Sequence, residues 1–317
     1  MAYRSIFGPV LSGRLGLSLG LDLLCRPVCS MDCVYCEVGA TQELTLARAP
    51  HVPAGEILAE LEDWAASGRH AEIVTLGGSG EPCLNAEMGE VIRGVRRILP
   101  GMPVAVLTNS TLMTDPAVRA ELALADVVLP SLDSLVEEEF RRINRPVRGV
   151  TAAAIAEGLL AFREEFAGAL YVEVLLAGGY NDSQENLARL KAYLPRLRPD
   201  RVDVTTLSRP GTLAGARAVA PEELARWRAE LGAGTKQENT TGSAARAAAP
   251  ARALPPEAAR EMVEASLARR PQTVLQLMRA LEADEKSILD AVEALSREGR
   301  LTSLAEGSQT FLSLRRQ

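Results

Sequence analysis

Aromatic residues make up only 4% of this 317-residue sequence, so its core must be filled by aliphatic side chains and alanine. Hydrophobic residues still reach 47%, enough for a substantial core. Histidine is nearly missing: His51 and His70 are the only two, and neither is spaced as a partner for a metal site. Positive charge is in deficit. A formal charge of -6 and a pI near 5.3 exclude a globally basic nucleic-acid binder. Long apolar runs are missing as well. The stretch 15–24 is broken by Asp22 and is too short to span a membrane. Residues 1–10 lack the apolar segment of a signal peptide, so the sequence predicts a cytoplasmic protein. In that compartment disulfides are rare, and clustered cysteines read as metal ligands.

What is present is a compact cysteine triplet, Cys29-Ser30-Met31-Asp32-Cys33-Val34-Tyr35-Cys36. Thiolates at this spacing can converge on one soft metal centre. Three ligands would leave one iron of a four-iron cluster open. A structural zinc site normally shows four ligands in two pairs, and here one triplet stands alone. Zinc, a free thiol cluster and a redox disulfide remain the alternatives.

Around the triplet, strand patterns alternate with helix patterns. Strands are predicted at 15–24, 71–76, 104–108, 126–129, 170–176 and 202–206. Helices are predicted at 55–66, 86–98, 115–124, 135–143, 151–166, 183–196 and 221–231. Such alternation implies an α/β fold with a parallel sheet and right-handed crossovers. Six units predict a partial, six-unit β/α TIM-like barrel rather than the full eight. Residues 1–231 form this core on the sequence reading. Residues 232–256 hold almost no large apolar side chain and read as a flexible linker. Residues 257–317 show three helices, at 257–269, 272–281 and 284–298, then two short strands, and so resemble a small winged-helix-like domain.

The remaining notable residues fall just after strands, at the edge where such folds build active sites. Gly77-Gly78-Ser79-Gly80-Glu81-Pro82 follows the second strand. By itself it is a flexible turn, and no Lys-Ser/Thr follows to make it a phosphate loop. Asn109 ends the third strand, and Ser131 and Asp133 follow the fourth. The ordinary role for such residues is helix capping or an Asx turn. Gly178-Gly179-Tyr180-Asn181-Asp182 also reads as capping, and Arg209 as an anion contact or a rim salt bridge.

The pattern Cys-x3-Cys-x-aromatic-Cys after a first strand resembles the cluster motif of the radical S-adenosylmethionine (radical SAM) superfamily. The resemblance implies that Cys29, Cys33 and Cys36 hold a 4Fe–4S cluster. It further implies that SAM chelates the open iron and is cleaved reductively to a 5′-deoxyadenosyl radical, which abstracts hydrogen from a substrate. Tyr35 would then pack near the cluster or the adenine. Gly78, Gly80, Glu81 and Pro82 would grip the methionine amino group, with Asn109, Ser131 and Asp133 as further SAM contacts. A low-potential donor, a ferredoxin or flavodoxin, is implied too.

The runs Phe7-Gly8-Pro9-Val10-Leu11-Ser12-Gly13-Arg14, Ser79-Gly80-Glu81-Pro82 and Phe140-Arg141-Arg142-Ile143-Asn144-Arg145-Pro146 narrow the resemblance. They look like a group of Fe–S oxidoreductases similar to the tRNA wybutosine-biosynthesis radical SAM enzymes. The likeness covers about residues 5–215. Those enzymes carry further cysteines upstream for a second cluster, and this sequence has none before Cys25, which puts a tRNA substrate in question.

Cys25 reads as a buried thiol, and Cys83, beside the Gly80-Glu81-Pro82 element, as a buried thiol or a reactive one near substrate. Cys25 is also the residue on which a rival reading turns. As a fourth cluster ligand it would make the chain an Fe–S redox-sensing regulator with winged-helix output. The third C-terminal helix opposes that reading. Asp284, Glu285, Asp290, Glu293 and Glu298 outnumber Lys286 and Arg297, the reverse of what phosphate binding needs.

Overall fold

The computed structural model describes residues 3–208, 211–213, 215–233, 253–268, 271–281, 283–306 and 309–315. The predicted linker therefore lies mostly outside the described residues, as do Arg209 and Pro210.

The chain opens with an antiparallel hairpin, β1 (Ile6–Ser12) and β2 (Gly16–Leu21). From β2 onward the main sheet is parallel. It continues through β5 (Ile73–Leu76), β6 (Val104–Thr108), β7 (Val127–Pro130), β8 (Ala169–Leu176) and β9 (Arg201–Thr206), in the order β1-β2-β5-β6-β7-β8-β9. A two-residue pair, β3 (Val28–Cys29) with β4 (Glu43–Leu44), clips the cysteine loop. The crossovers carry α1 (Ala54–Ala66), α2 (Met88–Ile98), α3 (Pro116–Leu122), α4 (Glu137–Asn144), α5 (Ala152–Glu165) and α6 (Gln184–Leu197), and α7 (Pro221–Glu230) follows β9. This is the expected α/β order with six parallel strands. Two expectations need correction. The strand predicted at 15–24 stops at Leu21, because Asp22 turns the chain into the cysteine loop. β1 was not expected, because Gly8 and Pro9 interrupt its pattern and its register shifts between Phe7 and Val10.

Alternation along β8 shows how the sheet divides its faces. Leu170, Val172, Val174 and Leu176 are buried under the helices, while Tyr171, Glu173 and Leu175 face inward. With few aromatics available, aliphatic side chains fill the outer layer, and Trp64 and Trp227 are each sealed beneath a helix. The inner floor is a separate apolar plug built around Ile73, Ala105 and Leu129.

The edge strands β1 and β9 do not pair, so the sheet is an open barrel. Its two edges are joined by a polar latch. Arg14, in the β1–β2 turn, forms an ion pair with Glu173 of β8. Arg201 of β9 donates to the Arg14 carbonyl at 3.4 Å, pairs with Asp203 at 2.8 Å and stacks on Tyr171.

The C-terminal residues form α8 (Pro256–Leu267), α9 (Val274–Leu281), α10 (Glu285–Arg297) and the hairpin β10 (Leu301–Glu306) with β11 (Gln309–Leu314). They bury their own core of Val263, Leu277, Ile288 and Leu295, separate from that of the barrel. Helices α8 and α9 rest on β1.

Candidate active site at the cysteine loop

The site is assembled where β2, β5, β6, β7 and β8 end. Asp22, directly after β2, accepts hydrogen bonds from the backbone N–H of Leu24 (3.1 Å) and Cys25 (3.0 Å). Its second oxygen takes the Ser79 N–H (3.2 Å) and the Ser79 hydroxyl. One carboxylate thus starts the cysteine loop and ties it to the glycine-rich loop after β5. Two glycines let that loop come close. A Cβ on Gly78 would lie 2.7 Å from the Asp22 carboxyl carbon, and one on Gly80 would lie 1.8 Å from the Val28 carbonyl oxygen.

Cys29 and Cys36 lie close enough to Cys33 to act on its charge, and none of the three is in a disulfide. Burial pushes the Cys29 thiol up to about 12, reinforced by Glu81 and Cys36. Burial, then Cys29 and Cys36, push Cys33 well above the ordinary thiol range. Such thiols ionise only if a cation is held among them. Among the described residues, no group of His, Cys, Asp or Glu converges tightly enough for a single metal ion. Two carboxamides point N–H groups at sulfur: Asn109 at Cys29 (3.4 Å) and Asn144 at Cys33 (3.5 Å). Donors aimed at sulfur suit thiolates bound in an iron–sulfur cluster. The donor set therefore fits a cluster.

Cys25 turns elsewhere. Its thiol meets the carbonyls of Arg4 (3.4 Å) and Asp22 (3.5 Å) and the Ser5 hydroxyl. Cys83 is buried, with its thiol against Thr108.

Glu81 is buried, and its carboxylate is taken up by protein donors. One oxygen accepts the Cys83 N–H (3.1 Å) and the Thr108 hydroxyl (2.8 Å), and the other accepts the Asn109 N–H (2.6 Å). Burial raises its pKa, against the pull of these hydrogen bonds. Glu81 thus fixes the end of β6 to the glycine-rich loop. Asp133 does the same one strand further on. It accepts the Tyr35 hydroxyl (2.5 Å), the Asn144 amide (2.7 Å) and the Leu175 N–H (2.9 Å). The expected capping of the helix after Asp133 is made by neither Ser131 nor Asp133. The N-cap of α4, Val136, makes no side-chain cap bond, and Ser134 accepts the Val136 N–H just ahead of the helix. Ser131 joins the edge of β6 through its N–H to the Thr108 carbonyl.

The run Phe140-Arg141-Arg142-Ile143-Asn144-Arg145-Pro146 lies across the cysteine loop. Arg145 pairs with Asp32 at 2.8 Å, Pro146 bridges Met31, and Val34 N–H donates to the Ile143 carbonyl. Asp22 and Asn144 are site residues that the sequence reading missed. The Asn181 amide bonds the carbonyls of Asp133 and Leu175, and Ser183 caps α6, so that stretch plays the structural part expected of it.

Burial pushes the Asp133 carboxyl up to about 6 from an ordinary 3.8, despite three donors. Between those values the folded chain holds a proton that the unfolded chain releases. Asp133 therefore stabilises the metal-free fold at low pH, and this contribution is lost as pH rises through about 6. Asp133→Asn should flatten the pH dependence of Tm between about 4 and 6, measured by thermal melts of the metal-free protein.

One cavity of about 1300 Å³ opens beside the loop. It runs from Tyr35 and Cys36 past Gly77 and Gly78, over the inner faces of β2, β5 and β8, to the C-terminal helices.

A thiol triplet after the first parallel strand of an open β/α barrel, with polar strand ends beside it, defines a class of cluster-dependent α/β proteins. The Radical SAM superfamily model matches residues 24–191. A UPF0026 protein of Synechocystis is 37% identical over 212 residues, which are 67% of this chain and 78% of that protein. A protein named GTPase Obg from Brachyspira hyodysenteriae is 29% identical over 298 residues, covering 94% of this chain but 43% of that protein. The chain thus spans less than half the length of that relative. A solved radical SAM methyltransferase from Sphaerobacter thermophilus shares the fold, with a TM-score of 0.52 at 20% identity over 68% of this chain and 62% of that one. The chain belongs to the radical SAM superfamily. Membership of this superfamily implies a 4Fe–4S cluster and SAM as cofactors.

Proposed function

We propose that Cys29, Cys33 and Cys36 hold the cluster, and that SAM lies between it and the strand ends at Gly78, Gly80, Glu81, Pro82, Asn109, Ser131 and Asp133. The observation that carries this reading is the pair of amides, Asn109 and Asn144, donating toward two of the three thiols. A reduced cluster with SAM supplies a carbon-centred radical able to abstract hydrogen from substrate. The protein's own residues do the positioning. Gly78 and Gly80 let the glycine-rich loop pack directly on Asp22 and Val28, which sets the loop assigned to the methionine ammonium beside the cysteine loop. Glu81 holds the Asn109 backbone, and Asp133 holds Tyr35 against the loop.

The wider organisation follows the same proposal. Residues 1–231 are the radical SAM core, 232–256 a linker and 257–317 a winged-helix-like domain. The helix–helix–helix–hairpin order supports that type, as does the bridge between Gln272 and Leu312, which adds a third short partner to the hairpin. Its acidic third helix makes it a protein or substrate contact rather than a nucleic-acid reader. No described helix is long and apolar enough to cross a membrane. A cytoplasmic setting with a ferredoxin or flavodoxin as electron donor suits this chemistry.

The test is anaerobic reconstitution with iron and sulfide, followed by SAM and dithionite. 5′-Deoxyadenosine is expected. Its absence while the cluster is intact overturns the assignment.

A further inference from the structure

The cavity is larger than the usual pocket for one small molecule. Small-molecule pockets occupy about 300–1,000 Å³, and this one has about 1300 Å³. SAM at the cysteine loop would leave the far end for a second molecule. This inference rests on the cofactor reading above.

The far end differs in character from the near end. On one side stand Phe7 and Val10 of β1, and on the other Leu254, Ala258, Met262 and Leu281 of the C-terminal segment. The C-terminal helices touch β1, yet their core stays separate from the barrel core, and the groove between the two bodies is lined mainly by these apolar side chains, with Ser12 and Ser266 among them. The groove is continuous with the space beside Cys36 and Gly78.

Charge narrows the occupant further. The charged residues lining the cavity are Arg14, Arg69 and Arg228 against Glu37, Asp63 and Glu173. Three bases face three acids, and Arg14 is already paired with Glu173. A phosphate-rich substrate needs a basic excess, which this lining lacks. A singly charged head would gain little from a balanced wall and would lose its hydration. The Ser18 and Thr75 hydroxyls, on the inner faces of β2 and β5, bond each other and so keep one O–H and spare lone pairs for a neutral polar head, while the Thr205 hydroxyl of β9 donates to Glu173 and keeps its lone pairs.

We propose that the groove between β1 and helices α8 and α9 binds the alkyl arm of a small amphiphilic substrate with an uncharged polar head, its head directed into the barrel toward the cysteine loop. The C-terminal segment is then a wall of the reaction chamber.

The test uses the full-length, cluster-reconstituted protein with SAM. Decanol, decanoate and decylamine are titrated separately by calorimetry, and 5′-deoxyadenosine formation is measured in the same samples. Decanol is expected to bind with one-to-one stoichiometry and more tightly than either charged probe. Ala258→Trp, which fills the groove, should weaken decanol by about tenfold or more. Met262→Gln, which keeps the volume but adds polarity, should weaken it by several fold. Leu289→Gln, at an exposed leucine outside the cavity, should leave it unchanged. Equal affinity in Ala258→Trp and Met262→Gln overturns the groove. So does an equal loss in Leu289→Gln, and tighter binding of decanoate or decylamine overturns the uncharged head. If the binding pattern holds but wild type forms no 5′-deoxyadenosine, the groove stands and the cofactor reading falls.

Discussion

Cys33→Ala should abolish the visible absorbance of the reconstituted protein and reduce SAM cleavage to background, whereas Cys25→Ala should leave both within about twofold of wild type. The contrast follows from where the two thiols point. Cys33 is enclosed with Cys29 and Cys36, and burial first, then each of these neighbours, raises its cost of ionising in the metal-free chain. An iron cluster reverses that cost, because its positive charge replaces mutual repulsion with ligation. Removing one of three protein ligands exposes a second iron and leaves the Asn144 amide aimed at no sulfur. Cys25 lies only four positions before Cys29, but the chain between them turns. The left-handed backbone at Cys25 (φ 53°) and the bonds from Asp22 direct its thiol to the carbonyls of Arg4 and Asp22. The measurement is absorbance and iron content per chain, with 5′-deoxyadenosine as the activity readout. Loss of the cluster in Cys25→Ala with retention in Cys33→Ala would revive the four-cysteine regulator.

The triplet was legible in the sequence because its spacing is local. Three ligands within eight residues can converge whatever the rest of the chain does. The parallel strands were legible for a similar reason, since apolar runs and turn residues mark them one at a time. What the sequence hid depends on contacts between distant residues. Asp22 looked like an interruption in an apolar run, yet it joins two loops 57 residues apart. Asn144 looked like the end of a helix, yet it reaches Cys33 and Asp133, and nothing in its own neighbourhood announces either partner. The hairpin strand β1 was hidden by Gly8 and Pro9. Phe7 shows why a strand forms there even so: its ring occupies the space left by the missing side chain of Gly20, its cross-strand partner. The meeting of the C-terminal helices with β1 is equally nonlocal, and composition alone could place those helices nowhere.

Glu81→Ala should be the most damaging substitution outside the cysteines, and its effect should divide into two separable losses. The first is stability. The carboxylate is buried and satisfies the N–H groups of Cys83 and Asn109 together with the Thr108 hydroxyl. Removing it strands two backbone donors, which costs about 2–4 kcal/mol if no water replaces it. For a chain of this size the melting temperature should fall by roughly 3–6 °C. The second loss is SAM binding. Without the tether the end of β6 is released from the glycine-rich loop, and Asn109 carries its amide away from Cys29. Affinity for SAM should drop by about 10–100-fold, the range typical for loss of a supporting group around a metal centre. Glu81→Gln separates the two losses. The amide keeps the volume but sets an NH2 group, with two donors, against a donor that the native oxygen accepts, so part of the stability is lost while the loop stays close to its place. Thermal melts of the metal-free variants read the first loss, and SAM titration of the reconstituted variants reads the second. If Glu81→Ala melts like wild type, the carboxylate does not hold the loop. If it binds SAM like wild type while melting lower, the Gly78-Ser79-Gly80-Glu81-Pro82 element supports the fold and the SAM contacts lie elsewhere along the strand ends.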